Sequence, residues 1–594
     1  MNEMRLRNTK LDIIGRSLIL NIVAIILNVT AVVLIAKGFH ASTDSGAMIM
    51  KISGFALIAI TLFVLAILKG MLLFSYVARA LVGGLFIVSG LVKANDPWGF
   101  AFKLDEYFEP AGLAFDFPFF ANFHDYAIYI SIFVCIAEIV LGAAVILGGK
   151  IKLASWALIL MMIFFTWLTW YTYSCNIKQE LAGLAGEDFG RQCVTDCGCF
   201  GDALRGSVGR SLTPLESFWK DLVLFYLCII IFVNQWKIKL NTVKENWIMV
   251  PASMLVVIFF SWVFGWMFPI FFTLIAMLGA FIMANLNIGK IGKGWKMAMF
   301  VTFISFLFSL YTVSYLPIKD YRPYAIGNDI NVQMNNGVDR VADFYYFYQN
   351  LETNEIDTIP MQEWDAKYGD TLKYTYLDYD DIEISAGKDA SIMDFGAIIA
   401  YDDLTDADKA ISYIDSLINA EFDNYYEEKI LIESYYGIDT LPAIEYDTLY
   451  YPDSLYTVKG TCTGLIDPST KFSLELTQYL LSAENMFLMT IRDVESINEG
   501  SIPAFKEVLA GAKENNIPFF VLCPASGEAV ETFKQKHDFD PAFLSFDGVE
   551  VKIIVRSNPG LVLLQKGVVM DKWPSRSVED FEDIYLEYIN TKQD

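Results

Sequence analysis

Four clustered cysteines, Cys175, Cys193, Cys197 and Cys199, have the side chains and spacing best suited to chemistry in this chain. The most informative stretch is Cys193-Val-Thr-Asp-Cys197-Gly-Cys199-Phe-Gly201. Two sulfurs one residue apart close only a very small, strained ring, and strain makes a disulfide labile and ready to exchange. Gly198 gives the backbone the freedom such a ring requires. Three uses of these sulfurs stay open. Zinc needs tetrahedral ligands, for which Cys-Gly-Cys is poorly spaced, and His40, His124 and His537, the three histidines of the chain, all lie elsewhere in the sequence. A pair of structural disulfides would pin the loop. Redox exchange fits the close spacing and a position beside the membrane.

A second candidate is Glu138, an acid inside a long apolar run. Ionisable groups at such depth are costly and are functional candidates by default. Glu138 would relay a proton during reduction of a membrane quinone, or hydrogen-bond a neighbouring helix. Cys135 lies three residues earlier on the same helical face and reads as packing. Cys523 at a strand end and Cys462 in a glycine-flanked loop read as small buried hydrophobes.

The elements that position these residues are membrane spans. Hydrophobic residues make up 55% of the chain, with 46 Phe, above the usual soluble composition. Apolar runs able to cross roughly 30 Å of hydrocarbon fall near 17–36, 52–68, 76–92, 127–147, 154–171, 222–233, 247–266, 270–286 and 298–316, about nine spans. The first lacks the small-residue cleavage site of a signal peptide. Basic connections alternate with acidic ones: Arg5, Arg7, Lys10 and Arg16, then Lys69 and Arg79, Lys150 and Lys152, Lys237, Lys239 and Lys244, and Lys290, Lys293 and Lys296. By the positive-inside rule the N-terminus is cytoplasmic, and the cysteine loop and everything beyond the last span face outward. In an oxidising compartment paired cysteines persist as disulfides.

The net charge of -25 conceals a division. Residues 318–594 hold 51 acids and 21 bases, whereas residues 1–317 hold 18 acids and 23 bases. Neither half offers a basic groove, which argues against nucleic-acid binding. Residues 318–484 are acidic and Tyr-rich, as in 378–381 and 446–456, and read as a mixed α+β region with a solvated face. The rest alternates: strand 486–491, helix 502–515, strand 517–523, helix 527–537, then strands 561–564 and 568–572. That order predicts a small α/β layer fold.

Three resemblances follow from these residues. The segment Arg79-Ala-Leu-Val-Gly-Gly-Leu-Phe-Ile-Val-Ser-Gly90-Leu-Val-Lys93-Ala-Asn-Asp96-Pro97 resembles the first helix of DoxX-type membrane proteins. Cys197-Gly-Cys199-Phe-Gly-Asp202 resembles the motif of the MauE branch, and with Ala137-Glu138-Ile-Val-Leu-Gly142 the likeness spans residues 76–236. It implies a four-helix membrane core associated with disulfide formation, with Cys197 and Cys199 as the exchanging pair and a thioredoxin-like partner. The C-terminal α/β order resembles a thioredoxin-like domain, with Pro559 at the position of that family's cis-proline. Where that family places Cys-x-x-Cys, this chain reads Arg492-Asp493-Val494-Glu495-Ser496-Ile497, so this domain reads as a docking module.

The expected architecture is a polytopic α-helical membrane domain with a four-helix DoxX-like core, followed by a soluble α+β region ending in a thioredoxin-like α/β domain. The expected divisions are 1–75, 76–236, 237–317, 318–484 and 485–594. The expected function is thiol–disulfide oxidoreduction, or an accessory role in disulfide formation, on extracytoplasmic proteins at the bacterial cytoplasmic membrane. Cys197 and Cys199 would exchange, Cys193 and Cys175 would form a second pair or a shuttle, Glu138 would assist, and a membrane quinone or a partner would take the electrons. No metal is assigned. The competing reading is a non-enzymatic membrane scaffold whose soluble half docks an envelope protein.

Overall fold

The protein is described from a computed structural model, which defines Thr30, residues 71–401, 430–433 and 471–590, with short interruptions that include Asp196 and Cys197. The expected spans at 17–36 and 52–68, the run 446–456 and Cys462 therefore lie outside the described residues. The chain forms two compact units, Met1–Tyr321 and Arg322–Asp594.

The first unit is helical: α1 (Met71–Asn95), α2 (Pro97–Phe108), α3 (Ala127–Leu147), α4 (Ile151–Leu184), α5 (Asp202–Val208), α6 (Pro214–Val233), α7 (Val243–Val263), α8 (Phe268–Asn285) and α9 (Lys293–Ser314). Among the described residues six helices are long and apolar enough to cross a membrane, those of α1, α3, α4, α7, α8 and α9. This unit is a polytopic membrane domain. The expected span at 222–233 is the apolar end of α6. Its first turns carry Glu216, Lys220 and Asp221, leaving a stretch shorter than the ~20 apolar residues a span needs.

Glycines set how closely the central pair approach. A Cβ on Gly83 would lie 2.4 Å from Ile146, one on Gly142 2.7 Å from the Gly83 carbonyl, and one on Gly90 2.9 Å from the Cys135 carbonyl. Small residues at a helix crossing let backbones meet where lipid supplies no hydrophobic drive. α1 and α3 are thereby brought face to face along the length that carries Lys93 and Glu138. α6 packs on both α1 and α4, completing a four-helix group. The later helices α7 to α9 share its core, with Val257, Phe272 and Val301 buried beside Ile87, Leu91 and Ile139. The outward faces carry Leu160, Trp262, Leu278 and Phe303, all more than half exposed. Such large apolar surface suits lipid and would be a liability in water.

The second unit holds two sheets. One is antiparallel, in the order β2-β1-β3, from β1 (Val341–Asn350), β2 (Ile356–Pro360) and β3 (Tyr374–Ser385). The other contains β4 (Ile398–Tyr401), β5 (Ile430–Glu433), β6 (Lys471–Glu475), β7 (Met486–Thr490), β8 (Phe519–Cys523), β9 (Ala542–Ser545), β10 (Gly560–Gln565) and β11 (Val568–Pro574). Their order is β11-β10-β7-β8-β9-β4-β6-β5, with β7, β8 and β9 parallel and the β10–β11 hairpin antiparallel to β7. Every residue of β7 and β8 is buried, the pattern of strands covered on both faces. The helices Ile502–Glu514 and Gly527–His537 follow them as expected. Strand β9 and the helix Gly548–Ile554 are additions to the expected order. The Asn558–Pro559 peptide bond is cis, as the sequence led us to expect.

Candidate functional site

The site is built where α1, α3, α4 and α6 converge. Lys93 comes from the last turns of α1 and Glu138 from the middle of α3. Their side chains meet at 2.6 Å with 5% and 3% exposure. The Lys93 ammonium also donates to Ser89 Oγ (3.0 Å) and lies over the rings of Phe100 and Phe165. A buried ion pair repays its desolvation only with good geometry and further polar partners; the Lys93 ammonium has such a partner in Ser89, whereas the second oxygen of Glu138 has none.

The second polar group comes from α6. Thr213 and Glu216 form a reciprocal capping box at the start of that helix, with Pro214 in its first position. That cap fixes the frame in which Lys220 and Asp221 follow, at 2.9 Å from each other, with the Asp221 side chain only 3% exposed. Lys220 stands near the Cys199 thiol and lies over the ring of Phe200. Ser89 Oγ donates to the Cys199 carbonyl at 3.4 Å, which ties the cysteine loop to α1.

Cys199 is a free thiol. Burial pushes it above the ordinary thiol range, and Lys220 pulls the other way by favouring the thiolate. Cys197, its expected partner, lies outside the described residues. Cys175 and Cys193 are joined in a disulfide, with Cα atoms 5.8 Å apart. Cys175 stands on α4, which continues well past the expected span end at 171. The disulfide therefore anchors the loop to a helix. Asn176 donates to the Val194 carbonyl at 2.8 Å, and the Cys193 N–H donates to Gln179 at 3.3 Å. Arg191 pairs with Asp116 at 2.6 Å, and together with the Tyr171 hydroxyl it holds that carboxyl below the usual range.

Ser89, Lys93, Glu138, Cys199, Lys220 and Asp221 line one cavity of about 230 Å³. Its walls are otherwise almost wholly apolar, from Met162, Phe165, Leu168 and Leu224 among others. Phe123 and Phe164 also line it and are each 40% exposed. Two carboxylate oxygens here, Glu138 Oε2 and Asp221 Oδ2, are buried without a hydrogen-bond partner. A buried polar atom in that condition costs ~1–3 kcal/mol, more if charged, and calls for an explanation.

Of the residues singled out from sequence, the structure brings Glu138 and Cys199 to one cavity. It leaves Cys175 and Cys193 bonded to each other and buries Cys135 completely against α1, as packing. Glu138 does bond a neighbouring helix, through Lys93. Sequence reading missed roles for Lys93, Lys220 and Asp221. The signal was available for α6, where an adjacent Lys-Asp pair directly precedes an apolar run.

With this geometry in view, comparison with known proteins is informative. Residues 71–178 match the family model of the methylamine utilisation protein MauE. That MauE-type membrane segment covers α1 to α3 and most of α4. Lys93, Glu138 and Cys175 lie inside it, while Cys199, Lys220 and Asp221 lie beyond its end. No curated protein and no solved structure matches the chain.

Proposed function

We propose that this protein is a membrane thiol–disulfide oxidoreductase acting on proteins outside the cytoplasm, with Cys197 and Cys199 as its exchanging pair. The observation that carries the reading is the Cys199 thiol. It is free, stands near the Lys220 ammonium, and lines an apolar cavity together with the buried Lys93–Glu138 pair. The Lys220 ammonium opposes the effect of burial and stabilises the thiolate that Cys199 becomes when its disulfide is opened. In the working direction a substrate thiolate attacks the Cys197–Cys199 disulfide. That S–S bond breaks, a mixed disulfide forms, and a second substrate thiolate resolves it. The substrate leaves as a disulfide, and Cys197 and Cys199 remain as two thiols. The Cys175–Cys193 bond holds the loop in place throughout. The MauE match over residues 71–178 supports the membrane setting of this reading.

The test is substrate oxidation by Cys199→Ser and Cys197→Ser variants of the full chain, with a reduced dithiol peptide as substrate. Both should lose activity entirely while keeping the Cys175–Cys193 bond. Undiminished oxidation by either variant overturns the reading.

The scaffold reading has one observation in its favour. The turn where a dithiol would stand in the C-terminal unit is occupied by Arg492 to Ile497 and is closed by hydrogen bonds to Asn558. On that reading, loss of the cysteines would impair folding and docking, with no redox activity to lose.

A further inference from the structure

We propose that the aromatic face of the β2-β1-β3 sheet is a docking surface for a lysine- and arginine-rich segment of another protein. The inference stands apart from the thiol chemistry above and concerns the second unit alone.

Composition is its first ground. Residues 341–385 hold ten aromatic residues and eleven acids against two bases, Lys367 and Lys373. Register then decides where the rings stand. Directly paired residues of antiparallel strands share a face, so Tyr346 stands beside Tyr379 and Tyr348 beside Tyr376. Residues three apart in a regular strand point to opposite faces. The register shift between Phe347 and Tyr348 cancels that alternation and puts Tyr376 and Tyr379 on the same side. The rings form a row: Phe344 lies 6.5 Å from Tyr379, Tyr346 6.3 Å from Tyr376, and Tyr348 5.5 Å from Tyr376 and 5.2 Å from Tyr368.

The row is open. Phe344 is 37% exposed, Tyr376 46% and Tyr379 56%. Among the described residues of the three strands only Ile359 is buried. A small sheet gains stability by covering a hydrophobic face, and this one presents its rings largely uncovered.

Charge identifies the occupant. Asp357 pairs with Tyr348 and so adds a carboxylate to the same face. An acidic partner is repelled by a strip with eleven acids and two bases. A neutral sugar chain would stack on the rings and gain nothing from the acids. Lysine and arginine use both features. Their charge meets the carboxylates, and the negative face of each ring attracts the cationic head. Arginine adds stacking of its flat guanidinium.

The test uses the full chain in detergent and fluorescence anisotropy with three labelled probes. They are an Arg-Gly-Lys repeat peptide, a Glu-Gly repeat of the same length, and a neutral chito-oligosaccharide. Only the basic peptide should bind saturably, and added NaCl should weaken it as the screening length falls from ~10 Å toward ~3 Å. Replacing Tyr376 and Tyr379 together by Ala should weaken binding about tenfold, the scale of two cation–ring contacts. Replacing both by Phe keeps the rings and should keep the affinity. Asp357→Asn should weaken binding less and flatten its salt dependence. Should the Ala pair fail to fold, Tyr379→Lys at the most exposed of these rings should abolish binding in the folded chain. Basic-peptide binding that is equal in the wild type and these variants reports net charge alone and overturns the proposal. Absence of binding, or preference for the oligosaccharide, overturns it as well.

Discussion

The membrane unit and the C-terminal sheet each gather polar groups beside a cysteine, and they treat those groups in opposite ways. In the C-terminal unit the Asn558 carboxamide accepts from the Arg492 N–H at 3.0 Å and donates to the Asp493 carbonyl at 2.7 Å. The Asp493 carboxylate in turn caps the Glu495 N–H. Cys523, at the end of β8, is buried and its thiol is pushed up by that burial. These groups answer one another, as polar groups do where they serve structure. In the membrane unit Glu138 and Asp221 keep one buried oxygen each without a partner, on residues that line a cavity together with a free thiol. A cluster that satisfies itself specifies a fold, whereas a cluster left incomplete around a cavity specifies a ligand.

Three substitutions bear on that contrast, beginning with the largest expected effect. Glu138→Ala leaves the Lys93 ammonium buried and alone, which costs ~3–5 kcal/mol. The loss is to be read from unfolding in mixed micelles. Replacing both residues together by methionine should recover most of it, because no lone charge then remains. A smaller loss, ~1–3 kcal/mol, is expected for Asn558→Ala, which strands the Arg492 N–H and the Asp493 carbonyl. That change should destabilise the C-terminal unit and leave Cys199 reactivity as it was. An altered Cys199 would break the division between a structural and a chemical cluster. The smallest effect concerns titration. With its thiol raised by burial and opposed by Lys220, Cys199 should be alkylated slowly at pH 8 and faster as pH rises. Lys220→Met removes the opposing charge, so the rise should move to higher pH still. A shift to lower pH would show that Lys220 does not face the thiol.

Much of the fold was legible in the sequence, and the reasons for the exceptions are physical. The continuous apolar runs at 127–147 and 486–491 gave helix and strand because length and flanking turns distinguish them. α4 was expected to stop at 171, where the apolar run ends. It continues to Leu184 because Asn176, Lys178, Gln179 and Glu180 are compatible with a helix that leaves the bilayer. That extension puts Cys175 on a helix and within reach of Cys193. Strand β9 has four residues and too little pattern to be recognised. Lys220 and Asp221 were passed over because charge next to an apolar run reads as the edge of a span, and only the packing of α6 against α1 turns them inward. Lys93 stood within a quoted motif with no role, since nothing in one sequence pairs it with Glu138.

The redox state of the cysteine loop in intact membranes tests the central claim most directly. Differential thiol labelling and mass spectrometry would follow Cys197 and Cys199 while the supply of quinone and oxidant is changed. The account predicts a mixed population at these two positions that shifts with the acceptor, beside a Cys175–Cys193 disulfide that does not move. Cys197 and Cys199 held in one state under every challenge would contradict it.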